Sequence, residues 1–317
     1  KEQDVALGAH ELRDRIYTNI TNSMTPKVSF EFFPANTESM EKTIRKSIEK
    51  LESLNPEFIS VTYGADGSTR ERTFDAIASI QARGTVDAMP HLTCVGALKE
   101  DIASIADEYY ELGIRKIMAL RGDPQGGAGA AYVPTVGGFP YAEQLVEGLA
   151  AQHDFDIYVA AYPETHPDAP SPHFDLQNLK RKFDAGASKA ITQYFFNTES
   201  YLRFRDTAVR MGIDNPIIPG ILPVTNFATL QRFSKASSIA LPKWLETAFA
   251  GLDAEPETRQ LIAANIAIEQ VIALQAEGVN DFHFYTLNRA ELCYAVCHAL
   301  GVRRALTNEN NTVEAAA

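Results

Sequence analysis

VSFEFFPANTESMEKTIRKSIEKLESL, residues 28–54, joins an apolar run to a polar step and then to an amphipathic stretch. VSFEFF (28–33) reads as a strand with both faces buried, because its residues are nearly all apolar and do not alternate with polar ones. Asn36 or Thr37 stands where the N-cap of a helix over 38–54 is needed. The same unit recurs along the chain. FISVTY (58–63) precedes a helical pattern over 70–83, MPHLTCV (89–95) one over 99–112, and KIMALR (116–121) a glycine-rich loop and then 141–151. IYVAAY (157–162) precedes 175–185, AITQYF (191–196) precedes 199–211, IIPGIL (217–222) precedes 226–236, and FHFYTL (282–287) precedes 290–299.

Eight strand–helix units in one chain predict an α/β fold, a closed (β/α)8 barrel in preference to an open doubly wound sheet. Two extra helical patterns, 242–251 and 256–277, are inserted before the eighth strand. Residues 1–26 read as a helical extension outside the barrel, residues 1–304 as one catalytic domain, and 305–317 as a disordered tail. No linker divides the chain.

The chain has 317 residues with 29 Lys+Arg against 41 Asp+Glu, a formal charge of −12, which disfavours nucleic acid and anionic membranes as partners. An anionic small molecule can still use a local basic pocket. Cys94, Cys293 and Cys297 cannot build a disulfide framework, and the latter two, four apart on a helical segment, read as core packing. With no apolar run of membrane-spanning length and no signal-peptide pattern at the start, a cytoplasmic location is expected.

Active sites of such barrels collect at the strands' C-terminal ends. There the chain places Glu31, Thr62-Tyr63-Gly64, His91, Arg121-Gly122-Asp123, Tyr162-Pro163-Glu164-Thr165-His166, Gln193, and the run from Tyr285 to Asn288 and Arg289. Glu31 lies among apolar residues, so burial is expected to raise its pKa. It reads either as a structural carboxylate paired with an arginine across the barrel or as a general acid that keeps its proton near neutral pH. Gly122 would let backbone approach a ligand, with Arg121 and Asp123 aimed at opposite charges on it. Asp175, Asn178 and Lys182 share a helix face, as either a solvated face or a ribose and pyrophosphate site with Arg181. No lysine ends a strand, as a Schiff-base aldolase would need, and the histidines lack metal-site spacing, so no metal is expected. The residues describe a barrel enzyme with one buried acid and a partly cationic rim, and leave its reaction open.

VSFEFFP (28–34), VTYGADGS (61–68), LRGDP (120–124), AAYPETHP (160–167), NLKRKFDAGA (178–187), ITQYFF (191–196), PGILPVTN (219–226) and DFHFYTLNRAEL (281–292) resemble the methylenetetrahydrofolate reductase family in its short bacterial form. The resemblance runs from about residue 27 to 303. It implies a flavoprotein with FAD at the strands' C-terminal ends. NADH, or NADPH, would reduce the flavin, and 5,10-methylenetetrahydrofolate would then be reduced to 5-methyltetrahydrofolate, a ping-pong scheme in one-carbon metabolism feeding methionine synthesis. It also implies a homo-oligomer. By motif, Glu31 and Asp123 become catalytic. Thr62, Tyr63, Ala65, His91, Arg121, Gly122, Asp123, Ala142, Tyr162, His166, Ala169, Asp175, Asn178, Arg181 and Lys182 become cofactor contacts. Asp123, Gln193, Thr229, Phe233, Tyr285 and Arg289 become substrate contacts. Thr229 stands where some relatives carry glutamine, and FFPAN replaces the commoner FFPP.

Overall fold

The structure, a computed structural model, describes residues 25–63, 70–124, 130–224, 226–237 and 239–304. The expected helical extension therefore lies outside the described residues except for its last two positions, as do Ala65 and the tail 305–317.

The alternation predicted from the sequence is the fold. Strands β1 (Lys27–Phe32), β2 (Ile59–Val61), β3 (Ala88–Thr93), β4 (Lys116–Leu120), β5 (Asp156–Ala161) and β6 (Lys189–Thr192) are followed by helices α1 (Glu38–Glu52), α2 (Arg70–Gln81), α3 (Lys99–Glu111), α4 (Ala142–Gln152), α5 (Pro172–Asp184) and α6 (Thr198–Arg210). Then come β7 (Ile217–Ile218), β8 (Gly220–Ile221), α7 (Phe227–Ala236), the inserted α8 (Lys243–Phe249) and α9 (Pro256–Ala276), β9 (Asp281–Tyr285) and α10 (Glu291–Ala299). Thr37, not Asn36, caps α1, accepting a hydrogen bond from the Met40 amide at 3.1 Å. α5 begins three residues before the predicted Asp175, because Ser171 caps it and Pro172 occupies its first turn.

All strand pairs are parallel, in the order β7-β6-β5-β4-β3-β2-β1-β9-β8. The two ends of that order are two halves of one run, IIPGIL, which the sequence predicts as a single strand. Pro219 separates them: Ile218 pairs with Ile191 of β6, while Gly220 pairs with His283 of β9. Pro219 has no N–H to give to a ladder, but its carbonyl accepts from the His283 amide at 3.0 Å, so the ring closes through the proline. The result is a (β/α)8 barrel with its seventh strand kinked.

Side-chain alternation sorts each strand into two cores. Phe30, Phe32, Ile59, Val61, Leu92, Ile117, Ala119, Ile157 and Val159 face the helices and join the main cluster. Phe58, Met89, Met118, Tyr158, Ile191 and Ile218 form a second, separate cluster. Two residues further along the same strands the side chains turn polar: Met89 gives way to His91 and Ile191 to Gln193. The apolar layer thus floors a polar mouth at the strands' C-terminal ends.

Gly220 permits the closure. A Cβ there would sit 2.3 Å from the Thr192 carbonyl oxygen and 2.6 Å from the Tyr285 ring, and the Tyr285 hydroxyl donates to that same carbonyl at 2.7 Å. Gly220→Ala should therefore cost about 1–3 kcal/mol of stability, as overpacking does, read as a lower Tm. A Tm equal to that of the parent would show that Tyr285 moves aside without cost.

Candidate active site

β1 carries the acid. Its register sets Ser29 beside His283 and Glu31 beside Tyr285, so these four side chains form two inward steps on neighbouring strands. The Ser29 Oγ and His283 Nδ1 lie 2.8 Å apart, and the His283 Nε2 is 3.4 Å from the Glu31 Oε2. The His91 Nε2, from β3, lies 3.4 Å from the same carboxylate oxygen. His283 also stacks on Phe58 of the apolar floor, with ring centroids 5.7 Å apart. The Glu31 backbone carbonyl accepts from the Thr286 hydroxyl at 2.6 Å.

This corrects two expectations. The partners of Glu31 are imidazoles, not an arginine across the barrel. Burial does push the Glu31 carboxyl up, but the charge of His91 and the hydrogen bond and charge of His283 pull it down further, so it sits below the usual carboxylate range. The direction expected from burial alone is thus reversed by the two neighbouring imidazoles. Burial pushes His91 down in turn, against the attraction of Glu31.

A second group of residues lines the loops after β4 and β5. Arg121 pairs with Asp168 at 2.9 Å and lies 4.5 Å over the Tyr132 ring. Gly122 has φ +86, and a Cβ there would meet the Val95 side chain at 2.4 Å. Asp123 beyond it is exposed. Tyr162 and His166 meet edge to face at 4.6 Å, the His166 amide donates to Asp175 at 2.8 Å, and the Ala169 amide closes a turn onto the His166 carbonyl at 2.9 Å.

α5 presents the predicted face. Its Asp175 and Lys182 attract each other, and the Lys182 ammonium donates to the Ala160 carbonyl. Desolvation outweighs that attraction and pushes the ammonium down to about 8. Arg181 bonds to Asn178 and pairs with Glu143 at 3.2 Å, next to Ala142 at the start of α4. Thr62 and Tyr63 follow β2, half-buried.

These residues suit a flavin dinucleotide. The Thr93 Oγ1 is buried and finds no hydrogen-bond partner among the described residues, while the His91 Nε2 has the Glu31 carboxylate 3.4 Å away. Gly122 leaves its backbone bare beside Thr93. Lys182 and Arg121 supply cations suited to a diphosphate.

The substrate-side assignments are more dispersed. Tyr285 meets Tyr194 edge to face at 6.3 Å and shares an electrostatic neighbourhood with Glu31 and Tyr162. Gln193 directly follows β6, its side-chain oxygen accepting from the Tyr194 amide. Phe233, on α7, is 61% exposed, an aromatic face without a cover. Thr229, one turn earlier, accepts from Arg232 at 3.2 Å. Arg289 is exposed beyond β9, past Leu287 and Asn288, both at positive φ. Asn288 holds that turn by accepting from the Phe33 amide at 2.7 Å and donating to its carbonyl at 3.2 Å. The structure thus gathers Glu31, His91 and Tyr285 into one centre, whereas Phe233, Thr229 and Arg289 stand at the rim.

The sequence reading missed Ser29 and His283, although each lies two residues before a named site residue, and strand alternation would have found both. Asp168 and Tyr132 carried no such signal.

The chain matches the family model described as methylenetetrahydrofolate reductase over residues 16–301. It is 55% identical over 278 residues to the 5,10-methylenetetrahydrofolate reductase of Pectobacterium carotovorum subsp. carotovorum, covering 87% of this chain and 90% of that protein. To the enzyme of the same name from Escherichia coli (strain K12) it is 53% identical over 279 residues, covering 88% and 92%. A structure of an uncharacterized protein from Clostridium thermocellum that binds two copies of 5-methyl-5,6,7,8-tetrahydrofolic acid aligns with a TM-score of 0.60 at 15% identity, covering 92% of this chain and 97% of that one, a likeness of fold. With a kinked (β/α)8 barrel, an acid on its first strand, and identity above one half to relatives of nearly its own length, this chain belongs to the methylenetetrahydrofolate reductase family.

Proposed function

We propose that this protein reduces 5,10-methylenetetrahydrofolate to 5-methyltetrahydrofolate with NAD(P)H, and NADH in preference, through a bound FAD and a ping-pong order of substrates. The observation that carries this reading is Glu31, a carboxylate seated between two imidazoles on a closed apolar floor, beneath a rim that suits a dinucleotide. FAD supplies a carrier that accepts hydride from a nicotinamide and donates it to the folate carbon.

Arg121, Gly122, Tyr162, His166, Asp175, Asn178, Arg181 and Lys182 would hold that group, with Thr93 offering its unpartnered hydroxyl and His91 its ring. Thr62 and Tyr63 would line its edge. Phe233 and Tyr285 would give each substrate an aromatic surface, Gln193 a hydrogen bond to the pterin, and Arg289 a partner for the substrate's glutamate carboxylate.

Opening the folate's five-membered ring requires a proton on the departing nitrogen. Glu31 would supply that proton, its carboxyl set between the His91 and His283 rings. The His283 Nε2 faces the Glu31 Oε2 at 3.4 Å, and Ser29 holds the far side of the ring at Nδ1. A pterin laid over Glu31 would exclude water and favour the neutral carboxyl that the ring opening needs. Asp123, negative at the rim, would favour the cationic 5-iminium form of the substrate that accepts hydride.

Glu31→Gln should leave NADH-driven flavin bleaching nearly intact and slow reoxidation by methylenetetrahydrofolate about 10²- to 10⁴-fold, the range of general acid catalysis. Stopped-flow absorbance separates the two half-reactions, and equal losses in both would remove Glu31 from the proton path. Ser29→Ala should slow only the folate half-reaction and displace its pH profile, since the imidazole loses its anchor. A profile that superimposes on the parent's would exclude a role for the anchored imidazole beside Glu31.

Lys182 carries its own pH signature. An anionic phosphate favours the charged ammonium, so FAD affinity should fall as pH rises through about 8, where the free group loses its proton. Lys182→Met should weaken FAD binding at pH 7 by about tenfold or more, the worth of one charge-assisted bond, and flatten that dependence. Fluorescence titration across pH 7–10 measures both, and an unaltered dissociation constant would return the α5 face to a structural role.

A further inference from the structure

Glu164 sits in the loop between β5 and α5, among residues assigned to the flavin, yet it bonds elsewhere. Its Oε2 accepts the backbone N–H of Ala240, 76 residues away, at 2.8 Å. The loop is wound for this. Thr165 adopts φ +73, rare for a β-branched residue, and its amide returns to the Tyr162 carbonyl at 3.1 Å. Ala240 belongs mechanically to α7, because the neighbouring Ile239 amide donates to the Ser234 carbonyl at 2.9 Å and the Ser237 amide to that of Phe233 at 3.0 Å. On its other side the Ser234 Oγ lies 3.2 Å from the hydroxyl of Tyr194, two residues past β6. α7 is therefore held at two points, Tyr194 and Glu164, with Phe233 projecting between them and solvent.

The bond has a cost that loop packing alone does not explain. Burial pushes the Glu164 carboxyl up, the Ala240 N–H pulls it back only in part, and no cation among the described residues pairs with it. A half-buried carboxylate whose hydrogen-bond partner among the described residues is a distant backbone amide makes sense as a strap.

We propose that Glu164 is a positioning residue, which fixes the substrate platform of α7 against the flavin-holding loop and so sets where each substrate stacks. The proposal rests on the reductase reading above and deepens it.

Wild-type holoenzyme is assayed first. Failure of NADH to bleach the flavin, or of methylenetetrahydrofolate to restore its colour, would overturn the reductase reading itself. Given both reactions, Glu164→Ala should raise KM for NADH and for methylenetetrahydrofolate about tenfold, the worth of one hydrogen bond to a charged group. The kcat of each half-reaction and FAD affinity should stay within about threefold of the parent, since the chemistry is untouched. Glu164→Gln keeps an acceptor for the Ala240 N–H and should restore most of the loss. Ala240→Pro deletes the donor and should reproduce Glu164→Ala, with the double variant no worse than either single one. Unchanged KM values in a folded, FAD-loaded Glu164→Ala protein would overturn the proposal. So would a Glu164→Gln variant as impaired as Glu164→Ala, or a defect confined to FAD retention.

Discussion

A carboxylate inside a barrel must find partners there, and most of the site is arranged around that requirement. Glu31 points inward from β1, where an unpaired charge would cost several kcal/mol. Two imidazoles, from β3 and β9, take the place of water around it. Each is constrained in turn, His283 by Ser29 and by the Phe58 ring, His91 by full burial. The apolar floor keeps water from entering below, so the electrostatic balance at Glu31 is decided by its neighbours and by whatever covers it from above.

The closure of the ring depends on the same place. Strand seven cannot run straight past Pro219, and the break sets two short pairings at different neighbours. Gly220, bare of a side chain, admits the Tyr285 ring and lets its hydroxyl reach the Thr192 carbonyl. Tyr285 is thereby held beside Glu31. A proline and a glycine that look like strand breakers in the sequence shape the floor and one wall of the site.

Around this rigid centre the loops divide the labour. Those after β4 and β5 are cross-linked to each other by Arg121–Asp168 and to α5 by His166–Asp175. The inserted helices build a separate small core with Phe196, Leu230, Leu245 and Phe249, and α7 rides on it. Glu164 and Tyr194 link this added layer back to the barrel.

Much of this was legible in the residues. Eight apolar runs, each followed by an amphipathic stretch, determine a parallel barrel, because a strand buried on both faces needs helices outside and a filled interior within. The expensive residues at strand ends mark the face where the site lies, and the motif order marks the family. What only the tertiary structure decided are the pairings between distant strands. Burial alone predicts a raised pKa for Glu31, and the sign reverses because β3 and β9 bring histidines to within 3.4 Å of it. The kink at Pro219, the strap from Glu164 to Ala240 and the ion pair from Arg121 to Asp168 are of the same kind. Local pattern reports which face a residue turns toward the core, while the identity of its neighbour across the barrel depends on register and ring closure, which no single segment encodes.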